Sequence, residues 1–416
     1  MSTEAEIEKV IEKIMKASYG KLLSALCSYS RDLEACEDAL ASAFSQALDS
    51  WPGGPIPTNP EGWVFLAAKN KLMDQKRKEN RKHENKATLV QLEEERSFQE
   101  NLDFKDHRLK LMFVCSHPSI DESVRTPLML QTVLGLDSAA IASAFLSSPA
   151  AMMKKLVRAK QKIKLAGIAF EVPDINSLSE RTEFVTEAIF AAYGKSWDSL
   201  GSINSNLTDL NEEALYLSKI LVELLPDVPE AKGLLAFILF CESRKSARRS
   251  SLGEYIPLDE QNVNIWNQTF ISEAENLLQD AFSKVHLGRF QLEAAIQSAH
   301  IARVKFKINN WPAILKLYDG LLSIAPTTGA IIGRANAFSE VQGPDLGLEA
   351  LKKLPAEITQ NYQPYWALKA SLLSKLGKSS EAKIAFDIAI GLSQDEAVKN
   401  FLRKKLISKN PPSDTK

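Results

Sequence analysis

Apolar side chains recur at three- and four-residue spacing along almost the whole chain, and runs that alternate β-branched or aromatic with polar residues are nearly absent. That period puts one apolar stripe on each of many helices and predicts an all-α protein. Between Ile7 and Leu48 it predicts two or three amphipathic helices. The stretch WPGGPIPTNPEG, Trp51 to Gly62, then breaks the pattern with Pro and Gly. Asn59 can cap the next helix, and Pro60 suits its first position, where the missing N–H removes no hydrogen bond. This helix is predicted to run to about Lys86. A second small helical unit spans His107 to Gly167, and EVPDINSLSE, Glu171 to Glu180, marks a further boundary.

From about Arg181 to Asn410 the pattern predicts a series of helix pairs. Their turns are marked by Pro226, Pro229, Pro312, Pro326, Gly343-Pro344, Pro355 and Gly377. The segment Tyr365 to Ile390 resembles a tetratricopeptide repeat, with Ala382, Phe386 and Ala389 packing the return helix after Leu376-Gly377. Such arrays bind peptides or helices along a concave face, so a protein partner on this extension is expected. The expected division is a first domain at 1–90, an acidic linker at 91–106, a second domain at 107–168, a linker at 169–185, the helical extension at 186–410, and a disordered polar tail at 411–416.

Composition narrows the picture. The chain has 416 residues, 45% hydrophobic and 25% charged, with a net charge of −1. These values suit a globular protein of two or three domains, and any attraction to nucleic acid must come from local patches. No apolar run reaches the ~18–20 residues of a membrane span, and the acidic amphipathic N-terminus is unlike a signal peptide, so a cytoplasmic protein without a membrane partner is expected. Cys27, Cys36, Cys115 and Cys241 match no zinc or disulfide spacing. Cys115 and His117 read as a buried thiol and a turn histidine. No phosphate loop, zinc-protease motif or serine elbow is present, so neither catalysis, a cofactor nor a metal is expected.

The most informative stretch is LDSAAIASAFLSSPAAMMKKLVRAKQKIKLAG, Leu136 to Gly167. Asp137 or Ser138 can cap a first short helix whose Ala140, Ile141, Ala144 and Phe145 share one face. After the turn Leu146-Ser147-Ser148, Ser148 caps a second helix opened by Pro149. Met152, Leu156, Ala159 and Ile163 are expected inside. Lys154, Lys155, Arg158, Lys160, Lys162 and Lys164 lie mostly outside, with no acid among them. A helix pair of this kind fits a DNA major groove, where the cations would neutralise phosphates. The small Ala150 and Ala151, beside Lys154, would permit close approach or touch thymine methyl groups. A merely solvated cationic face would give the same pattern.

A second candidate is the helix from Pro60. Trp63, Val64, Phe65 and Leu66 lead into KNKLMDQKRKENRKHENK, which has eight Lys or Arg against three acids. Trp63, Lys69, Asn70, Lys71, Asp74, Lys76, Arg77 and Lys78 form a candidate surface for single-stranded or distorted DNA. Some of its aromatics are expected in the core instead.

Two helical units, one ending in a Trp-led basic helix and the other in a helix-turn-helix, resemble the extracytoplasmic-function sigma factors of bacterial RNA polymerase. The chain is most similar to the subgroup with a tetratricopeptide-like C-terminal extension. DLEACEDALASAFSQALDSWP, NPEGWVFLAAKNKLMDQKRK, DHRLKLMFVCSHPSI and GPDLGLEAL carry the resemblance. It implies a transcription initiation factor, not an enzyme, that binds core RNA polymerase at its clamp coiled coil and flap. Asp32, Asp38 and Phe44 would meet the polymerase. The helix with Asn70 and Asp74 would open the −10 element, and Ala150, Ala151, Lys154, Lys155, Arg158, Lys160 and Lys162 would hold the −35 element of promoter DNA. The extension would regulate this engagement. The chain departs from the subgroup pattern at Ala191-Ala192-Tyr193-Gly194, at Gln342 and at Ser148-Pro149. A helical-repeat interaction scaffold and a conventional DNA-binding repressor are the alternatives the residues leave open.

Overall fold

The computed structural model describes residues 4–30, 32–52, 54–83, 106–145, 147–198, 208–284 and 287–409. Residues 91–105 of the expected acidic linker, the end of the basic run at 84–86, Leu146 in the helix-turn-helix turn and the tail at 411–416 lie outside them. The protein is all-α. Among the described residues the β-structure is one isolated bridge between Arg249 and Tyr255, and no helix is long and apolar enough to cross a membrane. The chain divides into two compact units, one comprising residues 1–194 with 208–220 and the other 195–207 with 221–416.

The first unit opens with α1 (Glu4–Ala17), α2 (Tyr19–Cys27) and α3 (Leu33–Ser50). In α1, Ile7, Ile11 and Ile14 follow the helical period and are buried. Asp32 starts α3 by accepting the Ala35 N–H at 3.1 Å. Asn59 does the same for α4 (Pro60–His83), accepting from Gly62 N at 2.9 Å. Each such cap contributes about 1 kcal/mol. Leu40, Ala43, Val64, Phe65 and Leu72 close the core between α3 and α4.

Four more helices follow: α5 (Arg108–Cys115), α6 (Glu122–Thr132), α7 (Ser138–Ala144) and α8 (Pro149–Leu165). Asp137 caps α7 through Ala140 N at 2.7 Å, and Ser148 caps α8 through Ala151 N at 3.3 Å. The expected inner stripe of α8, Met152, Leu156, Ala159 and Ile163, is buried. Removing those apolar side chains from water holds α8 on its neighbours at ~1.5–3 kcal/mol per large residue.

The linker expected at 169–185 is corrected from Ile175 onward. There α9 (Ile175–Asp198) begins, with the Asp174 carboxylate accepting Ser177 N at 3.1 Å. Arg181, Thr182 and Val185 are buried because α9 packs against the preceding helices. The Arg181 guanidinium donates to the Phe113 carbonyl and to Ser116 Oγ. Arg125 pairs with Glu180 at 3.6 Å and stacks on the Phe184 ring at 4.5 Å. Arg108, also buried, joins Asp106 to Glu213 near the start of α10 (Thr208–Leu224) and lies 4.9 Å from the Tyr216 ring.

The second unit contains α11 (Pro229–Ser243), α12 (Gln268–Phe282), α13 (Arg289–Phe306), α14 (Trp311–Ile324), α15 (Thr328–Gln342), α16 (Pro344–Lys352), α17 (Ala356–Thr359), α18 (Gln363–Lys375), α19 (Ser379–Leu392) and α20 (Glu396–Lys409). Most of α11 is buried, packed by α12 and α13. The Glu230 carboxylate, from the first turn of α11, accepts Phe290 N at 3.0 Å and Gln291 N at 3.2 Å, so it satisfies N–H groups at the buried start of α13 that have no partner within the helix. The pair α18 and α19 turns at Gly377, whose φ of 73° lies in the left-handed region open to glycine. Ala370, Leu372, Ala382, Phe386 and Ala389 are buried around that turn, in a core shared with Leu348 and Leu351 of α16.

Candidate nucleic-acid interface

α7 and α8 stand as a helix-turn-helix, with α8 packed on α6, α7 and α3. Opposite the buried stripe of α8, helical spacing places Ala150, Lys154, Val157 and Gln161, all exposed. Ala151, Lys155, Arg158 and Lys162 are exposed on the flank of that stripe. Val157 was not among the expected contacts, yet it is 39% exposed in the middle of this face. Its apolar side chain is of the kind that meets a thymine methyl group.

Lys160 is placed differently from the other expected cations. Its side chain is 10% exposed, and Nζ lies 2.7 Å from both Glu37 carboxylate oxygens on α3. Burial pushes the Glu37 carboxyl up from its ordinary pKa; Lys160, by charge and hydrogen bond, pulls it only part of the way back. One turn further along α8, Lys164 Nζ lies 2.6 Å from Asp32 Oδ2. Asp32 therefore caps α3 with one oxygen and binds Lys164 with the other.

The residues expected to meet the polymerase accordingly split three ways. Asp38 is exposed, Asp32 is engaged by Lys164, and Phe44 is 5% exposed in the core of α3. The expected surface contact by Phe44 is thus corrected: the position falls on the apolar stripe with Leu40 and Ala47.

On α4 the basic face is assembled around Tyr29, in the turn between α2 and α3. Lys69 Nζ sits 4.7 Å from the Tyr29 ring centre, and Lys76 Nζ donates to the Tyr29 carbonyl. Asn70, Lys71, Asp74, Arg77 and Lys78 are exposed, and Asp74 lies 3.6 Å from Arg77. Trp63 is half-buried and packs edge-on against Trp51 with ring centres 5.5 Å apart. Val64 and Phe65 are in the core. Tyr29, 37% exposed, was missed because its place beside α4 depends on a turn 40 residues earlier in the sequence than Lys69.

The contact between the two halves of this unit is also a backbone contact. A Cβ at Gly20 on α2 would overlap the Val133 carbonyl at the end of α6. Cys27, Cys36 and Cys115, scattered in the sequence, are all buried near this seam. Burial raises the Cys115 thiol to about 12, and its Sγ lies 3.6 Å from Thr132 Oγ1. His117 accepts the Ser119 N–H in a turn at 3.1 Å. Among the described residues no group of His, Cys, Asp and Glu is placed to hold a metal ion.

Residues 181–282 match a family of unknown function (DUF6596). The chain is 31% identical over 402 residues to "Uncharacterized protein R00370" of Rhizobium meliloti (strain 1021), covering 95% of each chain. No solved structure matches it.

Proposed function

The chain belongs to the same family as the Rhizobium meliloti protein R00370, and from its two basic helices we propose that it is a sigma factor of the extracytoplasmic-function type. It binds core RNA polymerase and directs transcription from a small set of promoters, and its C-terminal helical extension regulates that engagement. The observation that carries this reading is α8: a capped helix held on a buried stripe, presenting Ala150, Lys154, Val157 and Arg158 outward after a short turn. Those side chains suit a major groove, small and apolar ones toward base edges and cations toward phosphates. The basic face of α4 around Tyr29 supplies a second contact, suited to an opened strand. Arginines tie α5 and α6 to α9 and to the start of α10 within the first unit.

Run-off transcription tests this. Full-length protein added to core polymerase is expected to start transcripts from promoters selected out of its genome, and core polymerase alone is not. Failure to form a stable complex with core polymerase, alongside tight sequence-specific binding of free duplex DNA, would instead make the protein a repressor.

A further inference from the structure

We infer that the acidic end of α3 is a docking surface for a cationic helix, and that the chain's own α8 occupies it, so that Asp32 and Glu37 on one side and Lys160 and Lys164 on the other are withheld from outside partners. The inference rests on the sigma-factor reading for what is masked, but the masking itself stands on the contact alone.

Four carboxylates gather at the start of α3: Asp32, Glu34, Glu37 and Asp38. Across from them α8 presents Lys160 and Lys164, one turn apart on the same flank. Both pair, Lys160 with Glu37 and Lys164 with Asp32, while the flank bearing Lys155, Arg158 and Lys162 is exposed. The basic helix therefore spends two cations internally and keeps the others outward. Asp32 is also a residue that the proposed reading assigns to the polymerase, and Lys160 one that it assigns to DNA.

The energetics suit a reversible contact. A buried ion pair gains Coulomb energy but loses the hydration of both ions, and the two nearly cancel. If α8 leaves α3, both charges return to water, so separation is far less unfavourable than loss of either partner alone. A polymerase surface that offers α3 a replacement cation, or DNA that offers α8 a phosphate, can then compete.

The buried thiols give a test that needs no polymerase. Cys27, Cys36 and Cys115 sit near the seam, and Cys241 is buried in the other unit and serves as an internal control. Full-length protein is pulsed with a maleimide, and each thiol's labelling rate is read by peptide mass spectrometry. Glu37→Lys is expected to speed labelling of Cys115 at least tenfold relative to Cys241. The milder Glu37→Gln should give a smaller rise, and Glu37→Lys combined with Lys160→Glu should restore the native rate. Lys160→Glu, which opens the same pair but leaves the carboxylates of α3 in place, is then titrated with core polymerase and should bind several-fold tighter than the native chain. No selective rise at Cys115 in either single variant overturns the masking. A selective rise with no gain in polymerase binding overturns the competition. If the thiols respond as expected but no protein binds polymerase, the masked surface stands and the sigma-factor reading falls.

Discussion

Lys160 Nζ sits 2.7 Å from both carboxylate oxygens of Glu37, a residue 123 positions earlier in the chain. The pair joins α8 to α3 across a seam that also includes the backbone contact of Gly20 with Val133. Because the two ions are nearly buried, their loss is asymmetric. Lys160→Met alone should lower unfolding stability by less than Glu37→Leu alone. A stranded Glu37, already pushed upward by burial, can take a proton and so relieve its unpaired charge. The larger of the two losses should be about 3 kcal/mol, and the double replacement should come within about 1 kcal/mol of native. Urea unfolding of the full chain measures all three; equal, negligible losses would place the pair in solvent.

Gly20→Ala should destabilise by at least about 2 kcal/mol, because the new Cβ meets the Val133 carbonyl and either α2 or the end of α6 must move. Gly194→Ala is the matched control. That glycine lies inside α9 with open space around it, so alanine there should be neutral or stabilising by up to about 1 kcal/mol. Melting curves of the two variants against the native chain decide the point.

Changing Lys154, Lys155 and Arg158 together to Ala should leave the helical content and polymerase association intact and weaken promoter DNA binding. If each contacts a phosphate, the slope of log K against log salt falls in magnitude by about 3. An unchanged slope would mean that this face of α8 does not meet DNA.

His300 supplies a pH dependence in the second unit. Burial, with Arg303 and Arg244 nearby, lowers its pKa from 6.5 to about 4, and the ring packs edge-on against Trp311 at 5.5 Å. A base whose folded pKa lies below its unfolded value stabilises fully above the unfolded value. That contribution is lost as pH falls through the window toward the folded value. Between pH 7 and pH 5 the loss should be about 2 kcal/mol. His300→Asn should flatten the stability profile over that window, which denaturant titrations at several pH values will read.

Much of the fold was legible because it is local. Asn59, Asp137 and Ser148 stand where their helices begin, and Met152, Leu156, Ala159 and Ile163 are buried as their spacing requires. The start of α9 carried a signal too, since Asp174 precedes Ile175, Leu178, Thr182 and Val185 at helical spacing. The Pro173 and serines beside it read as a boundary, and in fact they only mark the N-terminus of a helix. The pairing of Lys160 with Glu37, the position of Tyr29 against α4 and the gathering of Cys27, Cys36 and Cys115 had no such signal. Each joins residues from separate helices, and a hydrophobic period fixes the face of a helix, not its neighbour. Phe44 shows the same limit from the other side: resemblance placed it at a surface, while its spacing with Leu40 and Ala47 already put it inside.

The bare backbone at Gly20 also bears on how this protein can be taken apart. The two front halves are cut to one another's shape along that line, so a hybrid that borrows residues 106–168 from a distant relative would bring a mismatched mate to α2 and α3. Transplants of the helix-turn-helix half between such chains should fold when both sides of the joint travel together, and fail when the cut is made between them.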